Sequence, residues 1–107
     1  HIESTFRAAS VDADFHWRRS GEPFHTRGGV LRSAVRTAVQ SHLGLTPDEN
    51  TGGGTSDGRF IATLGAEVVE LGPLNASIHQ VDECVRVDDI RRLQTVYEAI
   101  ARDCLAR

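Results

Sequence analysis

The sequence has few cysteines, no excess of positive charge and no long apolar run. Its two cysteines, Cys84 and Cys104, are too few for a disulfide framework and form no CxxC motif, so we predict free thiols in a reducing compartment. Twelve basic against fifteen acidic residues give a net charge of −3, which argues against nucleic acid as a partner. No stretch approaches the roughly 20 apolar residues that span a bilayer, so we expect a soluble chain that is neither membrane-bound nor secreted.

What is present is the composition of one ordinary globular domain or a piece of one, with 39% apolar and 25% charged residues among 107. Apolar residues at helical spacing predict a helix over 30–43, which Gly44 and Pro47 end. A second helix is predicted to be capped by Asp88 and to extend to the end of the chain. Shorter helices are expected near residues 2–9, where no cap precedes the apolar stripe, and near 59–64.

Two segments have the pattern of β-strands. Residues 11–19 alternate with Phe15 and Trp17 on one face, and residues 66–71 are rich in Val and Leu between glycines. Ser20–Pro23 separates the first strand from the rest as a hinge. The order of elements predicts α/β layering, although two strands are too few to cover two long helices. We therefore expect the remaining strands to come from sequence outside this chain or from another copy.

The segment 50–58 is the first candidate for chemistry, because it holds four glycines and no apolar side chain. Successive backbone N–H groups in such a loop form a site for an anion, here a carboxylate rather than a nucleotide phosphate, since no P-loop or dinucleotide motif is present. Thr55 and Ser56 add hydroxyl donors, and Asp57 can cap the next helical turn. A flexible surface loop explains the same composition equally well.

The segment 75–83 is the second candidate, because His79 lies there in a polar loop directly after a predicted buried strand. Imidazole is a common transition-metal ligand, and Asp82 or Glu83 could hold its second nitrogen. One histidine does not make a metal site, and no HExxH or HxH spacing occurs in the sequence. A hydrogen-bonded structural histidine is the alternative.

Taken in order, three stretches of the sequence resemble one enzyme family. They are SGEPF at 20–24, TGGGTSDGRFIA at 51–62 and ELGPLNASIHQVDECV at 70–85. Together they resemble the closing part of the succinyl-diaminopimelate desuccinylases, which belong to the zinc peptidase and aminoacylase family. The resemblance implies a bacterial, cytoplasmic two-zinc hydrolase that cleaves N-succinyl-L,L-diaminopimelate to succinate and diaminopimelate for lysine and cell-wall synthesis.

The resemblance also implies a domain organisation and a set of site residues. Residues 1–22 correspond to the end of a lid domain that dimerises, and 23–107 to the last part of a catalytic domain with a mixed sheet flanked by helices. His79 is implied as a zinc ligand, with cobalt as a possible substitute metal. Residues implied to contact the substrate are Gly53, Gly54, Thr55 and Asn75.

No part of the sequence resembles the family's remaining metal ligands or its general base, which precede the lid. A two-metal mechanism needs both ions and a base, so the isolated chain is expected to be inactive and to bind zinc weakly. We expect a homo-oligomer. Two alternatives stay open: a related deacylase or carboxypeptidase such as an acetylornithine deacetylase, and a binding module without catalysis.

Overall fold

The computed structural model describes residues 1–52, 54, 56–74 and 76–106, and within them it contains four helices. These are α1 (Ile2–Ala8), α2 (Val30–Leu43), α3 (Gly58–Ala62) and α4 (Val87–Leu105). All four coincide with helices that the sequence predicts, to within a few residues at their ends. None of the helices in these ranges combines the length and the apolar character needed to cross a bilayer.

Helices α2 and α4 pack against each other and form the core. Val96 of α4 is fully buried against Val35, Ala38 and Val39 of α2. Small and β-branched residues at these positions let the two helix axes approach closely, and burial of their side chains supplies most of the stabilisation here. Five buried apolar residues, these four and Ala34, make up the core of the described chain.

The ends of α2 follow from its sequence. Gly44 adopts the left-handed conformation at φ 67° and donates its N–H to the Gln40 carbonyl, which is the C-terminal stop that the sequence predicts. At the other end Gly29 has no side chain to act as a cap. The Glu67 carboxylate takes that place and accepts the Leu31 N–H at 2.7 Å, where a negative charge also complements the helix dipole.

The prediction that Asp88 caps α4 is wrong. The helix begins at Val87, with Arg86 in the cap position and no hydrogen bond from its side chain. Asp88 and Asp89 lie within the first turn, where their charges favour the helix without capping it. Asp57 does occupy the cap position of α3, but its side chain makes no capping hydrogen bond.

The two predicted strands are not formed among the described residues. Residues 66–71 pack beside the helical pair, with Val69 and Leu71 against the core, which is the one-sided alternation expected of a strand. Thr26 holds both backbone groups of Val68, since its hydroxyl accepts the Val68 N–H at 3.2 Å and donates to the Val68 carbonyl. A strand requires a neighbouring strand to pair with, and the described chain brings none to this segment.

Residues 11–19 likewise contain no strand. Phe15 and Trp17 do share one face, as the alternation predicts, and their rings stack at 6.0 Å. Phe15 also meets Phe6 of α1 edge-on at 5.3 Å, and the Trp17 Nε1–H donates to Glu3 at 2.7 Å. The segment therefore folds onto α1 rather than into a sheet, because the aromatic contacts are local and no strand partner is at hand.

Candidate functional site

A cavity of about 680 Å³ lies between residues 20–26, which include the hinge, helix α2, and the chain that follows the Gly-rich loop at 50–58. Its volume is within the range of small-molecule binding sites. The wall contains Gly54 and Ser56 from the Gly-rich loop and Arg59 from α3. Residues 68–71 form the side that faces the helical core.

Arg59 is the most unusual side chain in this wall. Its Nε is enclosed, and among the described residues nothing accepts a hydrogen bond from it. Its guanidinium carbon lies 4.7 Å from the centre of the Phe60 ring, and its aliphatic part packs tightly beside Gly21. A guanidinium in the wall of a cavity suits a carboxylate ligand, which it can bind through its terminal N–H groups.

Glu49, which also lines the cavity, is held by two arginines of α2. Arg32 and Arg36 both donate to its carboxylate. These hydrogen bonds hold the pKa of Glu49 below its ordinary value, with the larger effect from Arg36 and the smaller from Arg32. The group is exposed, so the ion pairs contribute little to stability. What they do is fix the chain after α2 along the edge of the cavity.

Polar contacts also hold the Gly-rich loop near residues 66–71. Ser56 donates its hydroxyl to the Glu70 carboxylate and accepts the Gly58 N–H at 3.1 Å. Gly58 has little room for a side chain, because a Cβ there would lie 2.8 Å from the Val68 side chain. The end of the loop is thus fastened to the neighbouring segment by Ser56 and Gly58 together.

His79 lies in the second candidate loop, which is built from turns over residues 76–82. Its backbone is left-handed at φ 61°, and its N–H donates to the Glu83 carboxylate at 3.4 Å. The side chain is exposed. Neither Asp82 nor Glu83, which the sequence offers as partners for its second ring nitrogen, makes a hydrogen bond to the ring. Within the described residues, the imidazole makes no hydrogen bond and is available as a ligand.

The predicted site residues do not all fall within one described cavity. Gly54 lines the cavity, whereas His79 does not. Gly53, Thr55 and Asn75 lie outside the described residues. In the described ranges no group of three or more His, Cys, Asp or Glu side chains is arranged to hold a metal ion. Cys84 and Cys104 are not joined by a disulfide in this structure.

The sequence had not indicated Arg59, Glu49 or Glu70 as members of a site. Arg59 is visible in the sequence as the residue after Ser56-Asp57-Gly58, but only the fold shows that its Nε is enclosed. Glu49 looks like part of a solvated acidic pair until α2 places two arginines beside it. These contacts join segments that are far apart in the chain, and periodicity carries no information about them.

Comparison with known proteins identifies the family of this chain. The chain matches Peptidase family M20/M25/M40 over residues 1–103, and it belongs to that family.

Relatives of the chain within this family carry the name of one specific enzyme. The chain is 56% identical over 89 residues to the succinyl-diaminopimelate desuccinylase of Stenotrophomonas maltophilia strain K279a. These aligned residues are 83% of this chain and 24% of that protein. The chain is 54% identical over 91 residues to the enzyme of the same name from Xanthomonas oryzae pv. oryzae strain PXO99A, covering 85% and 24%. For Xylella fastidiosa strain M23 the identity is 51% over 96 residues, covering 90% and 26%. The chain thus spans about a quarter of the length of these relatives.

Proposed function

We propose that this chain is the closing part of a zinc-dependent amidohydrolase that cleaves N-succinyl-L,L-diaminopimelate to succinate and L,L-diaminopimelate. The observation that carries the proposal is the identity of 51% to 56% over 83% to 90% of the chain with proteins named succinyl-diaminopimelate desuccinylase. In this proposal the chain is one part of a longer polypeptide. The lid remnant is residues 1–22, and the catalytic part is 23–107.

The proposal for the metal rests on His79. Its exposed imidazole, with no hydrogen bond to another described residue, fits a zinc ligand. The other ligands of a pair of zinc ions and the general base come from outside this chain, because one described ligand is too few. Zinc or cobalt, when bound, would supply Lewis-acid activation of water and of the amide carbonyl. His79 would supply one neutral nitrogen ligand.

For the substrate, we propose that Gly53, Gly54, Thr55 and Asn75 make the contacts. Gly54 supports this assignment, because it lines a cavity whose wall also contains the Arg59 guanidinium. The substrate carries several carboxylates, and backbone N–H groups with a nearby guanidinium are a common way to bind such groups.

The proposed catalytic domain is α/β. Residues 66–71 already present Val69 and Leu71 to the helices and would join a mixed sheet once neighbouring strands are present. The same proposal places the whole protein in the bacterial cytoplasm as a homo-oligomer that acts on a small molecule.

The test is a comparison of substrates with the complete protein. Purified with zinc, it is expected to release succinate from N-succinyl-L,L-diaminopimelate much faster than acetate from N-acetylornithine, and a chelator is expected to stop both reactions. Faster turnover of N-acetylornithine would favour a related deacylase. The absence of any zinc-dependent amide hydrolysis would favour a binding module, and either result would contradict the proposal.

A further inference from the structure

One side chain closes the loop that carries His79. The Ser77 hydroxyl donates to the Cys84 carbonyl at 2.8 Å and accepts the Cys84 N–H at 3.0 Å. A serine hydroxyl has one donor and two acceptor sites, so it can bind both backbone groups of one residue at once. The two hydrogen bonds join the beginning of the loop to its end across six intervening residues, 78–83.

The other hydrogen bonds within the loop are longer: the Gln80 N–H donates to the Ser77 carbonyl at 3.1 Å, the Gln80 side-chain amide to the Ala76 carbonyl at 3.3 Å, and the His79 N–H to Glu83 at 3.4 Å. Val81 is 94% exposed and Ile78 is 40% exposed, so burial of apolar side chains contributes little. His79 and Asp82 both have φ 61°, a conformation that residues with a Cβ seldom adopt, although His and Asp do so more often than most. A backbone of this kind persists only when the surroundings impose it. The Ser77 hydrogen bonds are the shortest contacts that do so.

The orientation of the His79 imidazole depends on this backbone. Metal-binding histidines are normally oriented by a hydrogen bond to their second ring nitrogen. Among the described residues no such partner reaches His79, so the loop itself sets where its imidazole points. We propose that Ser77 is a positioning residue, whose hydroxyl holds the loop closed so that His79 is oriented for the metal. This inference rests on the proposed role of His79 as a zinc ligand.

The experiment uses the complete protein and the substitutions Ser77→Ala, Ser77→Thr and His79→Ala. Ser4→Ala is the matched control, because it removes an exposed hydroxyl that donates to the His1 carbonyl at 2.8 Å and is far from the loop in sequence. Zinc affinity is measured by competition with a chromophoric chelator. Exchange of the Cys84 amide hydrogen is measured in parallel and reports directly on loop closure.

Ser77→Ala is expected to weaken zinc binding by about tenfold, the lower end of the range for residues that orient a metal ligand. It is also expected to speed exchange of the Cys84 amide, since both hydrogen bonds are lost. Ser77→Thr keeps a hydroxyl and should restore both properties, and Ser4→Ala should leave both unchanged. Circular dichroism should show the same helix content in every variant.

The outcomes distinguish failure of the positioning role of Ser77 from failure of the proposed zinc role of His79. If Ser77→Ala speeds Cys84 exchange but keeps full zinc affinity while His79→Ala loses it, His79 remains a ligand and the positioning role is refuted. If Ser77→Ala leaves Cys84 exchange unchanged, the hydroxyl does not close the loop and the inference also fails. If His79→Ala keeps full zinc affinity, the proposed metal role of this loop is refuted, and so is the inference about Ser77.

Discussion

At the scale of single residues, Gly21 has a structural reason to be glycine. A Cβ at this position would lie 2.6 Å from Arg59 Cδ and 3.1 Å from its Nε. These atoms are in the middle of the arginine side chain, and its Nε is enclosed, so they cannot shift as easily as a free side-chain end. The hinge that the sequence predicts at 20–23 thus doubles as a packing surface that holds Arg59 in the cavity wall.

We predict that Gly21→Ala displaces Arg59 and weakens substrate binding. In the complete protein, KM for N-succinyl-L,L-diaminopimelate should rise by about tenfold, because roughly one charge-assisted hydrogen bond to the substrate is lost. The zinc content should stay constant. Gly28→Ala is the matched control, since no atom lies within 4 Å of a Cβ at that position. An unchanged KM in Gly21→Ala, measured by steady-state kinetics, would contradict this prediction.

At the scale of elements, the pairing of α2 with α4 is the main source of stability. Val96 is the largest fully buried side chain in the described chain, and its removal leaves a space that the surrounding helices cannot fill completely. We predict that Val96→Ala lowers the free energy of unfolding by about 2 kcal/mol, from two lost methyl groups and the resulting cavity.

Urea unfolding followed by circular dichroism measures this loss, and Val81→Ala provides the control. The same two methyl groups are removed from Val81, but that side chain is 94% exposed, so its free energy of unfolding should change little. Equal effects of the two substitutions would mean that the contact between α2 and α4 is not the stabilising core.

The sequence predicts helices here better than it predicts strands, for a physical reason. The hydrogen bonds of α2 and α4 lie within each helix, so apolar spacing and Gly44 suffice to predict them. Residues 66–71 show the alternation of a strand, but strand formation depends on partners elsewhere in the sequence. The sequence alone also singles out His79 as a candidate ligand, because it lies in a polar loop after a predicted strand. The enclosure of Arg59 is not predictable in this way, because it depends on contacts between distant segments.

At the scale of the whole molecule, the chain is extended and exposes much of its apolar surface. Its radius of gyration is 18.9 Å, against about 13 Å for a compact domain of this length. Large apolar side chains are exposed on α1, α3 and α4; examples are Ile2, Phe60, Ile90 and Leu105. Surface of this kind promotes association with a partner.

We predict that the isolated 107-residue chain forms a homodimer or a higher oligomer. Residues 1–20 are expected to cross between copies or to dock beside residues 66–71, because the segment before the hinge packs mainly on itself. Light scattering from micromolar to millimolar concentration measures the mass. A variant without residues 1–22 should associate more weakly, and a stable monomer of the full 107 residues would refute the prediction.

The central proposal is that this chain supplies one zinc ligand, His79, to a metal-dependent desuccinylase. The most direct measurement is zinc content together with turnover of N-succinyl-L,L-diaminopimelate in the complete protein carrying His79→Ala. His42→Ala, an exposed histidine in the last turn of α2, is the matched control. We predict that His79→Ala loses most of its activity and part of its zinc while helix content is kept, and that His42→Ala retains both. Full turnover at stoichiometric zinc in His79→Ala would contradict the proposal.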